Sequence, residues 1–129
     1  MSQDRVRLKI TPKNAKPNKV GCLHEWTVSV DVINLSAFPV TIEEVGFELE
    51  TKEHMIQQPM ESLNRGLLPI RLDSREALMI LYPAKFLDDP RFAEVRTAYA
   101  RCQCGTTRHG SSKALKQLVE NAREKRQSE

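Results

Sequence analysis

Glycine is scarce in this chain: five residues, none of them adjacent. With no glycine-rich loop there is no phosphate cradle and no dinucleotide fingerprint, and no nucleophile-elbow sequence occurs. Cysteine is also scarce and odd in number, at three, so a disulfide framework is not expected. No apolar run approaches the roughly 20 residues that span a bilayer. The opening Met1-Ser2-Gln3-Asp4-Arg5 is polar and no apolar run follows it, so no signal peptide is expected. Charge of one sign is lacking as well: 20 basic residues stand against 17 acidic ones, a formal net charge of +3. That is a solvated surface with a slight bias, not the footprint of a dedicated nucleic-acid binder. Internal repeats and low-complexity segments are missing. Together these absences predict a cytoplasmic protein with no membrane contact and no cofactor.

The chain has 129 residues, 40% of them hydrophobic. That suits one domain over 1–129, because folding at this size buries roughly two-thirds of the unfolded chain's surface. Its strongest pattern runs from Trp26 to Leu49. In Trp26-Thr27-Val28-Ser29-Val30-Asp31-Val32 apolar residues take every second position, the period of a strand with one dry face. Asn34 to Pro39 supplies a turn, and Val40-Thr41-Ile42 resumes the alternation. The pair is expected to form the central hairpin of a β-sandwich. After Glu43 and Glu44 the apolar positions become Val45, Phe47 and Leu49, a slip of one in phase. Such a slip would turn an apolar face outward unless the strand bulges, so a β-bulge is predicted at Glu43-Glu44.

Elsewhere, Arg5 to Ile10 alternates basic and apolar residues, as a charged edge strand would. Pro12 to Gly21 reads as a polar loop and Thr51 to Gly66 as a long one. Leu67 to Leu72 is a short edge strand interrupted by Pro69, followed by a turn at Asp73 to Glu76. Ala77 to Tyr82, a continuous apolar run, predicts a strand buried on both sides. A short helix broken at Pro90 is expected over Lys85 to Phe92, a strand over Val95 to Cys104, and a short last strand over Thr106 to His109. Ser111 or Ser112 then caps a helix over 111–127. Its apolar stripe of Ala114, Leu115, Leu118, Val119 and Ala122 packs on the side or open end of the 1–110 body.

Three segments together carry a resemblance. Val32-Ile33-Asn34 leads to Pro39-Val40-Thr41-Ile42 and Val45-Gly46-Phe47, Leu68 to Leu72 follows, and Val95 to Tyr99 runs on to Gly105. In order and spacing they resemble small bacterial and phage-associated proteins with an immunoglobulin-like sandwich. The resemblance implies a mainly all-β, antiparallel immunoglobulin-like β-sandwich of about seven strands with a C-terminal α-helix, and it implies no activity. Antibody hallmarks fail: Tyr99 lies three residues before Cys102 rather than two, and Trp26 follows Cys22 too closely to begin the next strand.

Side chains that could carry chemistry fall into a few groups. Cys22-x-His24 and Cys102-x-Cys104, with His109 behind, are zinc-ligand types at shorter than usual spacing. Alternating strands would set the two pairs at opposite ends, roughly 20–30 Å apart, so no metal site is expected. Cys102 and Cys104 as a redox pair would distort a strand ladder, and no neighbour is expected to lower either thiol's pKa. Glu43-Glu44 and Asp88-Asp89 are carboxylate pairs. The first two point to opposite faces unless the bulge re-aims one, and the others resemble a helix start. His24, His54 and His109 are far apart with no local signature, so an enzyme is not expected.

Two binding surfaces remain. Arg101, Arg108, His109 and Lys113 surround the predicted helix start, where free amides favour an anion. Met55, Ile56, Met60 and Leu63 place adaptable apolar groups in the long loop, either as a lip for a protein partner or as a plug for one end of the body. The sequence therefore predicts a non-catalytic protein-interaction or accessory module. A weak anion or nucleic-acid binder through 101–113 is the alternative, and a hydrolytic or metal-dependent enzyme comes third.

Overall fold

A computed structural model of the chain describes residues 5–15, 27–56 and 61–128. Trp26, Cys22, His24 and Met60 lie outside them. Ten strands occur among the described residues: β1 (Leu8–Ala15), β2 (Thr27–Asn34), β3 (Val40–Leu49), β4 (His54–Met55), β5 (Glu61–Ser62), β6 (Gly66–Leu67), β7 (Ile70–Leu72), β8 (Ala77–Tyr82), β9 (Val95–Cys102) and β10 (Thr107–Gly110). Helix α1 (Ala84–Leu87) and a 3-10 turn at Pro90–Glu94 precede β9, and helix α2 (Lys113–Ser128) follows β10. The first sheet runs β1-β2-β8-β5-β6 and the second β10-β9-β3-β4, with β7 also on β3. Every pairing is antiparallel. No helix among the described residues is long and apolar enough to cross a membrane.

The alternation seen in the sequence sets what lies between the sheets. Val28, Val30 and Val32 of β2 and Leu78, Ile80 and Tyr82 of β8 face Ile42, Val45 and Phe47 of β3 and Ala98 and Ala100 of β9 in one buried cluster. Each large apolar side chain so buried contributes about 1.5–3 kcal/mol. An aromatic group fills one end. Phe47 has its ring centroid 5.2 Å from Tyr82, 5.7 Å from Phe86 and 5.6 Å from Phe92. The Tyr82 hydroxyl donates to the Val45 carbonyl at 3.2 Å, which satisfies the one polar atom that this ring brings into the core.

The predicted bulge is present. Ile42 pairs with Cys102 and Glu44 with Arg101, so Glu43 is the additional residue. Without it Ile42 and Val45 would face opposite sides; with it both are fully buried. The expected hairpin is not formed. β2 belongs to the first sheet and β3 to the second, so the chain crosses between sheets at Asn34 to Pro39. Asn34 decides this. Its buried amide donates to the Phe38 carbonyl at 2.9 Å and to the Leu72 carbonyl at 3.0 Å, and its Oδ1 accepts from the Ser36 amide at 2.9 Å. The corner is thereby fastened to β7 rather than folded back on β2.

Other boundaries also move. The first strand continues through Pro12 to Ala15 instead of ending at Ile10, because β1 is an edge strand and an edge position tolerates proline. The Leu67 to Leu72 segment is two strands in different sheets, divided at a cis Leu68–Pro69 bond. β8 is not buried on both sides: Leu78, Ile80 and Tyr82 point inward, whereas Leu81 is 42% exposed. The Pro90 break is observed, with Asp89 Oδ1 accepting from the Arg91 amide at 2.9 Å to start the 3-10 turn. Ser112 is the serine that caps α2, accepting from the Leu115 amide at 3.0 Å. Leu115, Leu118 and Val119 are buried, and α2 packs against β1 and the 3-10 turn.

Candidate functional site

The outward face of the second sheet holds the densest set of ionisable side chains. Beyond the bulge, Glu44, Gly46 and Glu48 of β3 point outward beside Tyr99 and Arg101 of β9, with His109 of β10 paired to Tyr99 and His54 of β4 paired to Glu48. Tyr99 lies across Gly46. A Cβ at Gly46 would stand 3.2 Å from Tyr99 Cε1, 2.8 Å from the Met55 carbonyl and 2.6 Å from Ile56 Cγ2, so only glycine leaves room. The Tyr99 hydroxyl donates to Glu44 Oε2 at 2.5 Å. Burial, and then the glutamate itself, push the Tyr99 pKa well above its ordinary value, so the phenol stays a proton-bearing donor. His54 stacks on Tyr99 at 4.2 Å between ring centroids. The carboxylate of Glu48 lies 4.0 Å from His54 Nε2 and 3.5 Å from His109 Nε2.

Arg101 brings the two bulge glutamates together. Its Nη2 donates to Glu43 Oε1 at 2.9 Å and to Glu44 Oε1 at 3.4 Å. The bulge does re-aim one carboxylate, and the result is an ion-paired triad rather than an acid–base pair. Among the described residues no group of three or more His, Cys, Asp or Glu side chains is arranged to hold a metal ion. Cys102 and His109 are not joined, since Cys102 packs in the core while His109 is on the outward face. Asp88 pairs with Lys125 at 3.2 Å and Asp89 with Arg91 at 2.8 Å. Asp88 thus links the end of α1 to α2, and Asp89 caps its own 3-10 turn.

The four residues of the anion reading do not converge. Arg101 is occupied by Glu43 and Glu44. Arg108 follows Thr107, which pairs with Arg101, so it points to the opposite side of the strand. There its Nε donates to the Val6 carbonyl at 3.1 Å. His109 neighbours Glu48, and Lys113 is exposed at the first turn of α2. Ser112 Oγ accepts the Leu115 amide and donates to the Pro12 carbonyl at 2.6 Å, so the helix start is already capped and tied to β1.

The apolar lip is likewise divided. Met55 is only 1% exposed and belongs to the core, and Ile56 is half-buried over Gly46. These two side chains fold back onto the body, as the plug reading required. Leu63, by contrast, is 64% exposed, and so is Leu67 at 60%. Register joins them to a surface that sequence reasoning missed. Ser62 pairs with Ile80, an inward residue, and Leu67 pairs with Glu61. Leu63, Leu67, Met79 and Leu81 therefore share the outward face of the first sheet near β6, its last strand among the described residues. The apolar run at 77–82 held the signal, since a strand with one dry face still carried leucine at an outward position.

The two described cysteines stand where β9 gives way to a turn. Cys102 ends the strand with its side chain buried, and burial pushes its thiol pKa up to about 11. Cys104 is exposed, and its Sγ donates to Thr106 Oγ1 at 3.5 Å. The Thr106 hydroxyl and backbone hold that thiol below its ordinary value, so a neighbour does lower a thiol pKa, contrary to expectation. Both residues line an open groove of about 400 Å³ with Val6, Phe38, Val40 and Thr41. No protein-family model, no curated protein and no solved structure matches this chain.

Proposed function

We propose that this chain is a non-catalytic protein-interaction module built on an immunoglobulin-like sandwich, and that it contacts its partner through the outward face at the β5–β6 edge. Strand order supports the fold reading. The first sheet, β1-β2-β8-β5, follows the A-B-E-D order of such sandwiches, and β10-β9-β3 follows G-F-C. The observation that carries the functional reading is the exposure of Leu63, Leu67 and Leu81 on one face of one edge. Scattered exposed leucines are ordinary, whereas a group beside a strand that pairs on one side only among the described residues offers both apolar contact and a sheet edge for strand addition. The other outward face satisfies its charges internally. An anion or nucleic-acid contact through Arg101, Arg108, His109 and Lys113 has less support, because the four do not converge and Arg101, Arg108 and His109 already have protein partners.

Leu67→Lys tests the reading. The side chain is exposed, so the unfolding midpoint should stay within about 0.5 kcal/mol of the parent. Binding to any partner retained by the parent protein from its native cells should fall at least about tenfold, as loss of an interface anchor does. Lys113→Glu, on the opposite flank, should leave binding intact. Equal retention by the parent and Leu67→Lys would overturn the proposal.

A further inference from the structure

We propose that Cys104 and Cys102 form a thiol–disulfide exchange site in which Cys104 takes up a small disulfide from the adjoining groove and Cys102 resolves it. The turn that follows β9 places the two sulfurs for this. Gly105 donates its amide to the Cys102 carbonyl at 2.9 Å, so Cys102 and Cys104 are the first and third residues of a tight turn. Residues two apart in an extended strand lie about 6.6–6.8 Å apart, at the upper limit of the roughly 4.4–6.8 Å that a disulfide spans between α-carbons. A turn draws them inside that window. Only the last rung of the ladder is involved, because Cys102 is the final residue of β9 and Cys104 lies beyond it. Gly105 itself has φ 94°, a left-handed conformation that glycine adopts without strain.

Both side chains line the same groove. Their exposures divide the work: Cys104 is open to solvent and Cys102 is enclosed. The open groove of about 400 Å³ beside them leaves the pair approachable by one end of a low-molecular-weight disulfide such as oxidised glutathione. Thr106 favours the Cys104 thiolate, the form that attacks.

In the first step the Cys104 thiolate, its proton lost to solvent, attacks one sulfur of the disulfide RSSR. A Cys104–SR bond forms and one RS⁻ leaves to be protonated. Cys102 then gives up its proton and attacks the Cys104 sulfur, closing the Cys102–Cys104 bond and expelling the second RS⁻. Two protein thiols are oxidised and RSSR is reduced to two RSH. The second step is intramolecular, so proximity compensates for the poor ionisation of Cys102.

The test uses the full chain with Cys22→Ser, which leaves only these two thiols. This protein is incubated with oxidised glutathione near neutral pH, quenched in acid, alkylated and weighed. A loss of two hydrogens, mapped to a Cys102–Cys104 link, is the expected result. Adding Cys102→Ser should trap one glutathionyl group on Cys104, and adding Cys104→Ser should slow modification at least about tenfold. A stable glutathione adduct on the Cys22→Ser protein without an internal link, or no reaction at Cys104, would overturn the proposal. The Cys22→Ser result suffices even if the second substitutions unfold the chain. The β5–β6 contact surface takes no part in this chemistry, so neither proposal stands or falls with the other.

Discussion

Asn34 shows how much one side chain can hold. It is fully buried, and beyond its three side-chain bonds its amide donates to the Glu76 carbonyl at 2.9 Å while its own carbonyl accepts from Arg75 at 2.7 Å. Asn34→Ala strips three backbone groups of their partner and should lower stability by about 2–4 kcal/mol, measured by denaturant unfolding. A second single-residue effect depends on pH. The Asp89 carboxylate is held below its ordinary pKa mainly by hydrogen bonding to Arg91. A lowered folded pKa means that its contribution is complete above the unfolded value and disappears as pH falls through the folded one. Stability should therefore drop with acid below about pH 4, and Asp89→Asn should make that part of the acid-unfolding curve shallower. At this scale the sequence was partly legible. Asp89 and Ser112 were recognisable because capping is local, within three residues of the cap. Asn34 read as a turn residue, and nothing local announces that Leu72, far along the chain, is its partner.

Among the elements, β3 was the most legible and the most misleading. Its bulge could be read because a phase slip has only one remedy that keeps Ile42 and Val45 in the same core. Its partner could not be read, because alternation is the same whether a strand returns beside β2 or crosses to the facing sheet. Packing between elements also sets which positions exclude a side chain. A Cβ at Gly110 would stand 1.9 Å from the Ile10 carbonyl oxygen, where β10 comes up against β1. The obstacle is backbone and has no rotamer to change. Gly110→Ala should therefore destabilise by at least about 1–3 kcal/mol, read as a lowered unfolding midpoint. The two-residue strand β4 was invisible in the sequence, since His54 and Met55 are too few to show a period. That brevity explains why Met55 looked like loop surface and why the His54–Tyr99 stack was missed.

For the molecule as a whole, the two flanks differ. On one, β1 meets β10 and the gap is stitched by Arg108 on the Val6 carbonyl, Ser112 on the Pro12 carbonyl, and α2 packed across β1. On the other, β6 ends the first sheet, with no further strand beyond it among the described residues. The mainly β character and the closing helix followed from periodicity, whereas which strands share a sheet did not. Nor did the β6 edge, because whether an outward leucine is covered depends on elements distant in sequence. The stitched flank has a consequence for how copies of the chain meet. Pro12 has no amide hydrogen to offer, and the carbonyls of Val6 and Pro12 are already engaged, so a second molecule finds no backbone to zip onto there. A strand-to-strand dimer formed at β6 would occupy the surface offered to the partner, so homodimer and heterocomplex would be mutually exclusive there.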